Sequence, residues 1–174
     1  AVGVQALADL RAYFGESYAR NFTALSKQRI LAPVARELAL SQQLAESVVT
    51  REFLANENSI EHRQRFFAEA RGYQATFADH SYFLISARSR NYYFNDNRSP
   101  ESDQPRYVVD PSLPENAWFV STLQRAAPYN INIDYDSALR LTKVWINVTT
   151  REAGEVIAVA GTGLDLTRFL DDFT

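Results

Sequence analysis

The chain has 174 residues, 46% of them hydrophobic and 22% charged, with 18 Lys and Arg against 21 Asp and Glu and neither Cys nor Met. This composition describes one globular domain that can bury a core without disulfides, and it excludes disorder, thiol nucleophiles, thiolate metal centres and redox switching. A net charge of −3 offers no basic cluster for nucleic acid or an anionic membrane surface, so neither is expected as a partner. The chain starts at Ala1 in a helix-like stretch, without an initiator Met and without a run of about 18 apolar residues. The reading is a fragment of a longer protein, with any membrane segment outside it.

In chain order, Leu7, Leu10, Phe14, Tyr18, Phe22 and Leu25, then Leu31, Val34, Leu38, Leu44 and Val48, recur at three and four residues. This spacing predicts a long amphipathic helix over residues 1–56, with Pro33 as the place for a kink or a split. About 45 residues at ~1.5 Å each span nearly 70 Å, so such a helix overhangs its own domain or pairs with another. Ser59, followed by Glu61 and Gln64, caps a second helix carrying Ile60, Phe66, Phe67 and Tyr73, where a compact unit over 57–174 begins.

Strand signals follow. Ser81 to Ala87 and Asn91 to Asn95 read as a hairpin through Arg88, Ser89 and Arg90, and residues 96–116, rich in Pro, Asp and Ser, as a long loop. Ala117 to Ala126 reads as a short helix stopped by Pro128. Tyr129 to Asp134, Leu141 to Thr149 and Glu155 to Gly161 are strands; Gly161-Thr162-Gly163 is a turn into a helix from Leu164 to Phe173. The expected fold is α+β: the long helix on a five-stranded antiparallel sheet, then a short C-terminal helix.

Alternation in two strands is the informative feature. Ile131 and Ile133 share one face with Val144, Ile146 and Val148 once the strands pair. Asn130, Asn132 and Asp134 share the other with Trp145 and Asn147. Asn and Asp fill a pleat poorly, so this face is either solvated or a concave ligand site with Trp145 and the helical Trp118 as aromatic walls. Asp134 and Asp136 form a D-x-D, but nothing supplies the glycine-centred spacing of a calcium loop, and His62 and His80 make no zinc or nucleophile set. No metal, cofactor or catalytic residue is expected. Arg88 and Arg90, flanked by Tyr92 and Tyr93, are either solvated or a grip for a carboxylate.

The long helix, Trp118-Phe119, YNINIDYD from Tyr129, WINV from Trp145 and VAGTGLDLTRFL through Asp165 together resemble the PAS-like Cache sensor domains of bacterial transmembrane receptors, in their single-Cache form. The resemblance implies an extracytoplasmic, periplasmic domain of an inner-membrane receptor whose output is a histidine kinase, diguanylate cyclase or chemoreceptor. It also implies a small metabolite bound on the sheet face away from the long helix, and a homodimer through that helix. The amino-acid-binding subset carries an Arg two residues before the Trp and a Tyr after it, where this chain has Asn116 and Phe119, so a ligand other than a typical amino acid is expected. Expected ligand contacts are Arg90, Tyr93, Trp118, Phe119, Tyr129, Asn130, Asn132, Asp134, Asp136, Trp145 and Asn147. The ligand is expected to enter under the 96–116 loop and to order it. The alternative is a ligand-free dimerisation or interaction module of the same receptor.

Overall fold

The computed structural model describes residues 24–136 and 141–167, so the first 23 residues of the expected helix and the tail from Arg168 lie outside the described residues. Three helices come first: α1 (Ala24–Glu46), α2 (Val48–Ala55) and α3 (Ile60–Thr76). Strands β1 (Tyr82–Ser86), β2 (Asn91–Asn95) and β3 (Tyr107–Val108) follow, then a 3-10 turn (Pro114–Asn116), α4 (Ala117–Gln124), β4 (Tyr129–Asp136), β5 (Leu141–Glu152) and β6 (Glu155–Asp165). The strands form one antiparallel sheet in the order β3-β2-β1-β6-β5-β4. Helices α1 to α3 cover one face and α4 lies on the other.

Helix α1 buries Val34, Leu38, Leu44 and Ala45 at helical spacing against β5 and β6. It continues through Pro33, and the interruption comes at Ser47. The reason is tertiary: the last-turn carbonyls of Leu44 and Ala45 accept from Thr50 Oγ1 and Thr150 Oγ1, each at 2.7 Å, so the chain can leave the helix without orphaned acceptors. Ser47, in extended backbone, donates to Glu69 Oε2 on α3 at 2.5 Å. Ser59 caps α3, accepting from the His62 amide at 3.3 Å. Phe53 of α2 stacks on Phe66 of α3 at 4.9 Å and meets Tyr93 of β2 edge-on at 5.2 Å, so the aromatic centre of this core is assembled from three elements.

Two expectations change. The 96–116 segment contributes a sixth strand, β3, and is fastened to β2 by side-chain hydrogen bonds. Asn95 Nδ2 donates to Tyr82 Oη (2.8 Å) and the Ser102 carbonyl (3.0 Å), while its Oδ1 accepts from the Ser102 amide (2.9 Å) and Arg106 (2.9 Å). Strand β6, moreover, runs on to Asp165, and Gly161 to Gly163 are strand rather than turn. Gly161 pairs with Phe83 on one side and Asn147 on the other, and this two-sided ladder outweighs glycine's weak strand preference. A methyl on Gly161 would run into the Ile146 carbonyl, so only glycine permits that approach of β5.

Candidate ligand site

On the sheet face turned away from α1 to α3, β6 brings Gly161 and Gly163 beside Asn147 and Trp145 of β5, and the space over both glycines is filled by neighbouring atoms. Around them the rings form a continuous wall. Phe83 lies parallel to Tyr92 at 6.1 Å, Tyr92 stacks on Tyr107 across the β2–β3 pair at 4.7 Å, and Trp118 and Trp145 meet Phe83 edge-on at 6.4 and 6.5 Å. The resulting cavity, of about 450 Å³, is lined by these five aromatic residues with Ile133 and the polar Glu115, Asn132, Asp134 and Asn147. Its volume and its mix of rings with a few polar groups match a small-molecule site.

Each polar group has a definable environment. Asn147 is 1% exposed; its Nδ2 donates to Asn130 Oδ1 at 2.8 Å, Asn130 Nδ2 donates to Thr122 Oγ1 at 2.7 Å, and Thr122 donates to the Trp118 carbonyl at 2.7 Å. This chain ties β5 through β4 to α4 and so sets where Trp118 stands over the cavity. Asn132 sits opposite Trp145 in the strand register, and its amide has no hydrogen bond among the described residues. Burial raises the Tyr92 hydroxyl far above its ordinary pKa and that of Tyr107 more modestly, so both remain protonated donors across the physiological range. Lys143, under the far side of Trp145, rests its ammonium 4.6 Å from that ring and 3.6 Å from Asp79 Oδ2.

Of the residues expected from sequence, Trp118, Asn132, Asp134, Trp145 and Asn147 line the cavity, and Asn130 stands behind it in the hydrogen-bond chain. The others lie elsewhere. Tyr93 faces the helices, where its hydroxyl donates to Glu57 Oε1 at 2.7 Å and burial pushes its pKa up to about 12. Phe119 is 1% exposed in the packing beneath α4, and Tyr129 packs toward the helix-side core. Arg90 is exposed at the β1–β2 turn in left-handed backbone (φ 62°), and its carbonyl accepts from the Val109 amide at 2.8 Å. Asp136 belongs to β4, but its side chain lies outside the described residues. Missed by sequence reasoning were Phe83, Tyr92, Tyr107, Glu115 and Ile133. Tyr92 had a signal: alternation in NYYFN puts Tyr92 and Phe94 opposite to Tyr93, and taking the wrong parity exchanges the faces. Phe83 had none, because every residue of β1 is buried and the strand does not alternate.

No family model and no curated protein matches the chain. Solved structures do. The ligand-binding domain of the Pseudomonas fluorescens chemoreceptor CtaA with L-serine superposes at TM-score 0.55 and 14% identity, over 89% of this chain and 61% of that one. That of Campylobacter jejuni chemoreceptor Tlp3 with L-valine gives 0.60 at 10%, over 86% and 59%. This is the fold of Cache-type chemoreceptor ligand-binding domains. The Pseudomonas aeruginosa amino acid chemoreceptor PctC with GABA adds a third, 0.56 at 15%, over 90% and 64%. The chain thus spans about three fifths of the length of these Cache-type chains.

These structures overturn the expectation that the ligand is not a typical amino acid, because all three hold amino acids in this fold. The physical reason is local. Asn116 spends its side-chain amide on the Asp110 carbonyl at 2.9 Å, and Phe119 is buried, so neither lines the cavity and neither governs what enters it.

Proposed function

We propose that this chain is the extracytoplasmic sensor domain of a bacterial membrane-bound signalling receptor, that it binds an amino acid in the cavity between the sheet and α4, and that it performs no catalysis. The cavity itself carries the reading: five aromatic walls and a handful of polar groups converge on the face opposite the helices, in a fold whose solved examples hold amino acids. Among the described residues no cluster of His, Asp and Glu suits a metal.

A route for the signal starts at the cavity wall. A ligand pressed on Trp145 bears on Lys143, which pairs with Asp79. Asp79 Oδ1 accepts from the Asp165 amide at 3.4 Å, Asp165 Oδ1 accepts from the Thr167 amide at 2.8 Å, and Thr167 Oγ1 accepts from the Thr142 amide at 2.9 Å. Displacing Lys143 therefore loosens the end of β6, where the chain turns toward its C-terminal segment. Such a shift has a differential contact to drive it, as any ligand-biased equilibrium needs.

The test uses the only two tryptophans of the chain, Trp118 and Trp145, both of which line the cavity. Intrinsic fluorescence and thermal shift are measured against the common L-amino acids and GABA. At least one should change emission and raise the Tm, and Asn132→Ala should abolish both responses. If no amino acid acts, or if Asn132→Ala and Trp145→Phe respond as wild type does, the assignment fails and the ligand-free module takes its place.

A further inference from the structure

The charge at the mouth of the cavity is one-sided. Its two charged lining residues among those described, Glu115 in the 3-10 turn and Asp134 on β4, are both carboxylates; both are exposed at the rim, and neither has an ion-pair partner among the described residues. Among the described residues, the neighbouring cations are committed elsewhere. Lys143 stands opposite Asp134 in the register, yet its ammonium points to Asp79 and the Trp145 ring. Arg106 is spent on the Phe94 carbonyl (2.8 Å), Asn95 Oδ1 (2.9 Å) and the Pro100 carbonyl (3.1 Å). Arg90 sits at the far turn, beside Asp110.

An α-amino acid brings one ammonium and one carboxylate. The ammonium needs one acceptor carboxylate; the α-carboxylate can be met by neutral donors, for which the unspent Asn132 amide and the protonated Tyr92 and Tyr107 hydroxyls are at hand. One rim carboxylate then remains without a counter-charge. It shares the cavity lining with Trp118, Tyr107 and Trp145, and aromatic rings favour a cation over an anion at their faces. Resting on the amino-acid-sensor reading above, we infer that the site selects amino acids with a positively charged side chain, and that Glu115 and Asp134 are the residues that read the two positive groups.

The experiment compares each cation with a neutral isostere, L-arginine with L-citrulline and L-lysine with L-2-aminoheptanoic acid, by tryptophan fluorescence and calorimetry at low and moderate salt. The charged member of each pair should bind roughly tenfold more tightly at low salt, the sum of a rim ion pair and a cation–π contact, and the gap should narrow as salt rises. Glu115→Gln and Asp134→Asn, both at exposed positions, should fold normally, and at least one of them should close most of the gap. Equal or tighter binding of the neutral isosteres overturns the inference while leaving an amino-acid sensor in place. A charge preference unchanged in both variants overturns the assignment to Glu115 and Asp134. Absence of binding by any amino acid overturns the inference together with the function it rests on.

Discussion

Replacing Gly161 by Ala tests whether β5 approaches β6 so closely there that only glycine fits. A Cβ there would collide with the backbone oxygen of Ile146, with the Ile146 carbonyl carbon at 2.9 Å and Phe83 Cε1 at 3.3 Å. Backbone cannot swing aside as a flexible side chain can, so β5 must move off β6 locally. The strain of inserting a methyl into a packed interior is about 1–3 kcal/mol. Weakening two of the flanking ladder hydrogen bonds adds about 1 kcal/mol each. The expected loss is therefore about 3–5 kcal/mol, a large share of the ~5–15 kcal/mol that stabilises a typical domain. At about 2–4 °C per kcal/mol for a chain of this size, the Tm should fall by roughly 6–20 °C. Gly163 is the internal control, because its added methyl would meet Lys143 Cε, the far end of a flexible side chain, and Trp145 Cζ3 at 3.1 Å. Gly163→Ala should cost ~1 kcal/mol or less, since Lys143 can rotate away, but it should shift tryptophan emission by moving Trp145. Urea unfolding of both variants, followed by far-ultraviolet circular dichroism, measures the two costs. Equal stability of Gly161→Ala and wild type within about 0.5 kcal/mol would refute the close approach of β5 to β6.

Two further outcomes follow from buried polar groups. Asn147→Ala removes the donor to Asn130 in a site 1% exposed, so it should destabilise by about 1–3 kcal/mol and release α4; fluorescence quenching of Trp118 should rise in Asn147→Ala, and an unchanged quenching constant would sever the link from β5 to Trp118. Glu37 is buried on α1, and desolvation lifts its pKa above the ordinary carboxylate value despite its contacts with the Ala78 amide and Arg36. A raised folded-state pKa means that its contribution is fully present below the unfolded pKa and is lost as pH rises through the folded value. The Tm of wild type relative to Glu37→Gln should therefore decline from pH 4 toward neutrality, and a difference that is flat or rises with pH contradicts the burial effect.

What was legible in the sequence follows from period and local chemistry. The antiphase of Ile and Asn in β4, and of Val and Trp or Asn in β5, marks two faces before any pairing is known, because successive side chains in a strand must point opposite ways. The pairing then sets Asn132 against Trp145 and Asn130 against Asn147, which is how four cavity residues, Asn132, Asp134, Trp145 and Asn147, could be named in advance. Ser59 as a helix cap was equally readable, since its hydroxyl bonds three residues ahead along its own chain.

Tertiary structure decided whatever depends on a partner distant in the chain. The helix break lies at Ser47 and not at Pro33 because Thr150, more than a hundred residues on, accepts the role of donor to Ala45. Gly161 is strand because β1 and β5 hold it from both sides and Gly163 because β5 pairs with it, and the 96–116 segment closes on β2 because Asn95 and Arg106 fasten it. In β2, alternation offered both Tyr92 and Tyr93. Only packing of Tyr93 against Phe53 and Glu57 sent Tyr92 to the ligand face. The sequence by itself determined that one face of this sheet is polar and aromatic. The assembled sheet decided that this face is hollow, since the cavity lies among side chains brought together from β1, β2, β3, β4, β5 and the segment leading through α4.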